Sequence, residues 1–259
     1  MSHLPQPFPP DWASAWGDDV YGLWAELVVR DVRQRLRWIA PGEFWMGSPK
    51  EGSAAADEWP RHRVRIRFGF WMADTACTQA LWQAVMGNNP SHFTGNLQHP
   101  VETVSWGDVQ VFLQALGSPA FLTPDLPTEA EWEYACRAGT EGAFHFGARI
   151  TPKLVNYGNL QKRTVPVKAF PANSWGLFQM HGNVWEWCKD GQRKYTAAAV
   201  AVEDPEGPMG KTLVRALRGG SWFYQAGLAR SAYRDSLRPD GWVQDVGFRL
   251  VLRSTRPAR

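Results

Sequence analysis

Sulfur is scarce in this chain, and so is any device that would tie it to oxidation, clustered metals or a membrane. Three cysteines among 259 residues (Cys77, Cys136 and Cys188) lie far apart, with no Cys-x-x-Cys pair and no even-numbered framework. That spacing argues against a disulfide scaffold or a zinc cluster and fits small buried hydrophobes in a reducing compartment. No stretch approaches the roughly 18 apolar residues of a membrane span. The opening MSHLPQPFPPDWASAWGDD has no basic region ahead of an apolar one. The expectation is a chain that is cytoplasmic as synthesised, with no membrane partner. Charge of one sign is thin as well: 28 basic against 25 acidic residues leave a net +3. Nucleic-acid binding needs a concentrated basic face, so no nucleic-acid partner is expected.

What is abundant is tryptophan, with 15 residues, beside 24 glycines and 19 prolines. Aromatic rings bury large areas, so a core can form with little regular secondary structure around it. The Pro-rich residues 1–18 read as a loosely held arm. Three strand-like runs follow at 21–29, 34–40 and 42–48, and 49–60 is polar and small enough for a loop. Residues 61–72 alternate, with Val64, Ile66 and Phe68 on one face and Arg63, Arg65 and Arg67 on the other, which predicts a half-buried strand.

Three short helices have legible ends. Thr78 can cap one in which Trp82, Val85 and Met86 share a face before Gly87. Ser105 with Asp108, and Thr128 with Glu131, read as capping boxes. The first precedes Val109, Phe112, Leu113 and Leu116 at helical spacing; the second should turn Trp132, Ala135 and Cys136 inward. Beyond about residue 140 the chain is turns and short strands. With no linker and no repeat, residues 19–259 are expected to form a single domain.

The ordered set GEFWMGS (42–48), CTQALWQAVMG (77–87), HPVETVSWGDVQVFLQAL (99–116), LPTEAEWEYACRAGT (126–140), NSWGLFQMHGNVWEWCKD (173–190), LRGGSWF (217–223) and GFRLV (247–251) resembles the formylglycine-generating enzyme, or sulfatase-modifying factor, domain. The resemblance implies an α+β chain with a C-type lectin fold of the formylglycine-generating enzyme type and low regular secondary structure. Enzymes of that family hold copper with two cysteines shortly after the GGS motif. Counting from Gly219-Gly220-Ser221, those positions here are Tyr224 and Ala229. Neither supplies the thiolate that selects a soft metal, so no enzyme is expected and no cofactor is required.

The segment RGGSWFYQAGLARSAYRDSLRPDGWVQDVGFRLV (218–251) resembles the variable region of diversity-generating retroelement proteins, many of which use this same domain. In such systems randomised template adenines turn Asn codons into others at scattered surface positions. The resemblance divides the segment. Trp222, Arg230, Ala232, Arg234, Pro239, Phe248 and Arg249 look like scaffold. Phe223, Tyr224, Gly227, Tyr233, Asp235, Ser236, Gly241, Val243 and Val246 look like the diversified, ligand-binding set, and the residue at each of these nine positions can be reached from an Asn codon through adenine changes. Rigid aromatics beside small polar residues suit a recognition surface.

The family's calcium segment maps onto Gln179 and Glu186 as side-chain ligands and Gly182 and Val184 as carbonyl ligands, which makes calcium an optional cofactor. A second family calcium site, near 155–167, has no acidic residue here. His145 and His181 lack metal-site spacing and read as structural, and Ser221 as a turn residue. Arg230 and Arg234 should bridge loops, with Asp240 their partner. The reading is a monomeric, non-enzymatic ligand-binding protein whose partner is an unknown protein or other surface ligand. Its rivals are a formylglycine-generating enzyme-like oxidoreductase and a carbohydrate-binding lectin.

Overall fold

The computed structural model describes residues 4–49, 55–117, 122–210 and 213–254. Where local sequence is strongest, the elements fall as expected, the first strand excepted. β1 (Ala15–Asp19), β2 (Gly22–Val29) and β3 (Val32–Ile39) form a meander, and β4 (Gly42–Met46) follows. α1 (Gln79–Met86) starts at Thr78, whose hydroxyl accepts from Leu81 N, and stops at left-handed Gly87. α2 (Trp106–Leu116) and α3 (Glu129–Arg137) each begin at a closed capping box, on Ser105 and Thr128. No helix among the described residues is long and apolar enough to cross a membrane.

Two expectations are corrected. The run 61–72 is two strands, β5 (His62–Ile66) and β6 (Phe70–Ala73), in different sheets. The alternation ends at Phe68, which is 42% exposed, because all four residues of β6 are buried on both faces. The arm over 1–18 is not loosely held where it is described. Residues 15–18 belong to edge strand β1, and Trp12 packs edge-on against Trp71 at 5.8 Å. Residues 1–3 lie outside the described residues.

The later strands are short: β7 (Leu122–Asp125), β8 (Trp185–Trp187), β9 (Val202–Glu203), β10 (Arg215–Arg218), β11 (Asp235–Leu237), β12 (Val246–Phe248) and β13 (Val251–Ser254). They assemble into a six-stranded sheet β1-β2-β3-β6-β13-β7, a four-stranded sheet β11-β10-β8-β12 and a three-stranded sheet β4-β5-β9. Segment 218–251 is therefore threaded through the fold. It leaves the four-stranded sheet at β10, returns to it at β11 and β12, and passes directly into β13, which lies between β6 and edge strand β7 of the six-stranded sheet. Its ends are fixed by the core while its middle stays in loops.

Candidate recognition surface

The departure from β10 needs glycine. Gly219 and Gly220 have φ of 96° and 75°, and a Cβ on Gly220 would lie 2.8 Å from the Cα of Ala229. Ser221 then closes the turn: its hydroxyl donates to Asp245 at 2.6 Å and accepts from Phe223 N at 3.3 Å. Gly158 N and Asn159 N donate to the carbonyls of Tyr224 and Trp222, both at 2.7 Å, and Thr103 N donates to Val243 O at 3.2 Å. Each loop of the segment thus leans on a different part of the fold.

Four buried arginines do the rest. Arg218 donates to Glu133 of α3 and to the carbonyls of Ser231, Ala232 and Tyr233. Arg230 forks onto Glu58 at 2.6 and 2.7 Å and gives its Nε to Gly227 O. Arg234 forks onto Glu129 of α3 at 2.6 Å twice and reaches the carbonyls of Asp57 and Arg193. Arg249 meets Glu186 of β8 and donates to Ala73 O and Phe178 O. Planar guanidinium matches this mixed carboxylate and carbonyl coordination in a way an ammonium does not. Asp240 is not the partner expected for Arg230 and Arg234. It sits exposed and pairs with Arg238 at 3.1 Å, because the buried arginines find acids already inside.

Between the braces, side chains turn outward. Phe223 is 51% exposed, Tyr224 39% and Val243 41%; Gly227 is exposed, and Tyr233, Asp235, Ser236 and Gly241 are half-buried. A Cβ on Gly227 would meet nothing within 4 Å, so any side chain fits there. Val246 is corrected: it is buried in β12, paired with Trp185, and belongs to the core. Trp242, outside the expected diversified set, is 63% exposed, and Gln225 and Gln244, also outside it, are exposed too. Of the residues assigned to scaffold, Trp222, Arg230, Ala232, Arg234, Phe248 and Arg249 are buried, and Pro239 is half-buried.

The outward rings border a cleft of about 420 Å³ lined by Trp222, Phe223, Tyr224, Trp242, Val243 and Gln244, with Asp245, His92 and Thr103 completing it. Phe223 meets Trp222 and Tyr224 edge-on at 5.5 and 5.4 Å. Burial, then the charges of Asp245 and Asp235, push the Tyr224 phenol above its usual pKa.

The residues proposed for calcium do not fit it. Glu186 is buried, and its carboxylate accepts from Arg249 at 2.9–3.3 Å and from Trp132 Nε1 at 2.7 Å. Its charge is already neutralised. Gln179 has both amide atoms buried without a partner among the described residues, but one neutral amide with the Gly182 and Val184 carbonyls falls short of the about 6–8 oxygens and the anionic charge calcium takes. Asn183 satisfies backbone instead, accepting from Val165 N at 2.9 Å and donating to Val165 O at 3.1 Å.

The three cysteines are buried and free. Burial raises each thiol, Cys136 to about 12, which keeps them protonated. His181 donates through Nδ1 to Ala229 O at 2.7 Å and accepts at Nε2 from His145 N at 3.2 Å, a packed, uncharged pair rather than a base. At the two positions that match the family's copper cysteines, Tyr224 faces solvent and Ala229 is buried in a 3-10 turn (Ala226–Ala229).

Short sheets holding a long, braced, loop-built face define an α+β domain of the C-type lectin type. The chain belongs to the sulfatase-modifying factor enzyme 1-like domain family, which it matches over residues 27–254. It is 36% identical to the formylglycine-generating enzyme of Streptomyces coelicolor, over 86% of this chain and 90% of that one. It is 33% identical to the bovine enzyme over 66% of this chain, spanning half of that protein. A bovine relative named inactive Cα-formylglycine-generating enzyme 2 is 32% identical over 69% of this chain and 58% of that one. Among solved structures, Treponema denticola variable protein 1 superposes with a TM-score of 0.77 at 27% identity, over 89% of this chain and 99% of that one. PvdO from Pseudomonas aeruginosa shares the fold, with a TM-score of 0.74 at 24% identity over 93% and 98%.

Proposed function

We propose that the chain is a non-enzymatic ligand-binding protein whose 218–251 segment is a recognition surface diversified by a retroelement. One observation carries this: arginines hold the backbone of the segment from inside, while Phe223, Tyr224, Gly227, Val243 and Trp242 project from it. A backbone fixed in advance lowers the ordering penalty of binding and leaves the outward side chains free to change. Tyr233, Asp235, Ser236 and Gly241 flank the exposed set. The likeness to Treponema denticola variable protein 1 supports the same reading. Panning a random phage-displayed peptide library tests it. The wild-type protein should enrich peptides that the Phe223→Ala/Tyr224→Ala variant does not retain; equal retention contradicts the reading.

A second reading, copper-dependent oxidation of a cysteine, is favoured by the identity to the Streptomyces coelicolor enzyme. It lacks its metal ligands, since Tyr224 and Ala229 stand where thiolates are needed. Incubation with Cu(I), dioxygen as oxidant and a cysteine-containing peptide should yield no formylglycine; turnover would reverse the assignment.

A further inference from the structure

The acids that brace segment 218–251 are matched to arginine: Glu58, Glu129, Glu133 and Glu186. Asp245 is the exception. It is 8% exposed, its Oδ2 accepts the Ser221 hydroxyl, and among the described residues no cationic side chain pairs with it. An interior carboxylate without a counter-ion is costly and stays ionised only if something compensates it. Burial accordingly raises its pKa.

Asp245 lines the aromatic cleft together with Trp222, Phe223, Tyr224, Trp242 and Val243. Ring faces carry partial negative charge and attract cations, and they also cover an alkyl stem. The nearby Asp235 adds to the negative field at the Tyr224 phenol. An anion would be repelled here, and a neutral apolar group would leave Asp245 uncompensated.

We infer that this cleft takes the lysine or arginine side chain of a partner polypeptide, with the rings around its stem and Asp245 as its counter-ion. The inference rests on the recognition reading above and adds the chemistry of the partner.

Three probes of similar shape test it: Nα-acetyl-lysine amide, Nα-acetyl-arginine amide and neutral Nα-acetyl-norleucine amide. Each is titrated at pH 8 against tryptophan fluorescence. The account expects saturable binding of at least one cationic probe, at least tenfold tighter than norleucine, with the better cation marking the preferred side chain. Asp245→Asn keeps an oxygen for Ser221 and should lose that tenfold preference. Trp242→Ala, at an exposed position, should weaken the cationic probe without changing Tm, and it serves the same purpose if the Asp245 variant does not fold. Equal binding of norleucine, no saturable binding of either cation, or an unchanged preference in Asp245→Asn would overturn the inference. The peptide panning separates the two proposals. Enriched peptides that depend on Phe223 and Tyr224 but carry no lysine or arginine would leave a recognition surface of different chemistry. Retention indifferent to both rings would remove the recognition reading itself.

Discussion

Arg234 shows how much of this molecule depends on single side chains. It is 5% exposed, satisfies both oxygens of Glu129 and gives two of its three remaining N–H donors to the carbonyls of Asp57 and Arg193. Removing it strands a carboxylate in the interior. Arg234→Met should therefore destabilise the fold by about 3–5 kcal/mol in denaturant unfolding. Arg234→Lys should recover little, because one ammonium cannot replace the fork. The buried histidines give a second prediction. Burial lowers His145 to about 4 and His181 to about 3, from 6.5 when free. Below pH 6.5 the unfolded chain therefore takes up protons that the folded chain refuses. Stability is full above that pH and falls on acidification toward pH 4, by a few kcal/mol at most. His145→Phe keeps the aromatic packing against Phe146 and should make the fall in Tm between pH 6.5 and 4 shallower, leaving the part due to His181; an unchanged slope would contradict the assignment. Arg230 and Arg234 were legible as braces in the sequence, but their partners were not, and Arg218 was not read as a brace. Glu58 and Glu129 lie 172 and 105 residues away, and Glu58 sits in a stretch whose composition reads as a solvated loop.

At the scale of elements, local rules reached as far as local contacts do. The helix caps were readable because Ser105 with Asp108, and Thr128 with Glu131, are complete within four residues. The inward face of α3 was read only in part. Trp132, Ala135 and Cys136 are buried, but so are Glu129, Glu131 and Glu133, which no hydrophobic period announces. Thr128→Ala should lower stability by about 1–2 kcal/mol, measured by urea unfolding, through loss of the bond to Glu131 N. Because α3 carries the partners of Arg218 and Arg234, the same variant should also speed amide exchange of residues 231–234. Strand order was beyond the sequence. β13 lies between β6 and β7, and β8 between β10 and β12, pairings set by packing across the whole chain. Even a clear alternation misled at 61–72, since nothing local marks the point where one sheet hands the chain to another.

For the whole molecule, the exposed rings and loops form a face that a lectin-type core holds rigid. A standard protein interface takes about 800 Å² and roughly 20–30 residues a side. On the proposed reading, the exposed Trp242, Gln225 and Gln244 would add to the contact area beside the four exposed and four half-buried positions of the expected set. If the segment is diversified, DNA near the gene should hold a near-copy of codons 218–251 with AAC or AAT at the outward positions, beside a reverse transcriptase gene. A copy with such codons at Arg218, Arg230, Arg234 or Arg249 would contradict the division into brace and display. The most direct measurement of that division is thermal unfolding of one combined variant, in which Phe223, Tyr224, Gly227, Asp235, Ser236 and Val243 are replaced together by Ser, Asn, Ala, Asn, Thr and Thr. The account predicts a Tm within about 4 °C of wild type, equivalent to roughly 1 kcal/mol in a chain of this size. A fall of about 10 °C or more would mean that these side chains support the fold rather than being displayed by it.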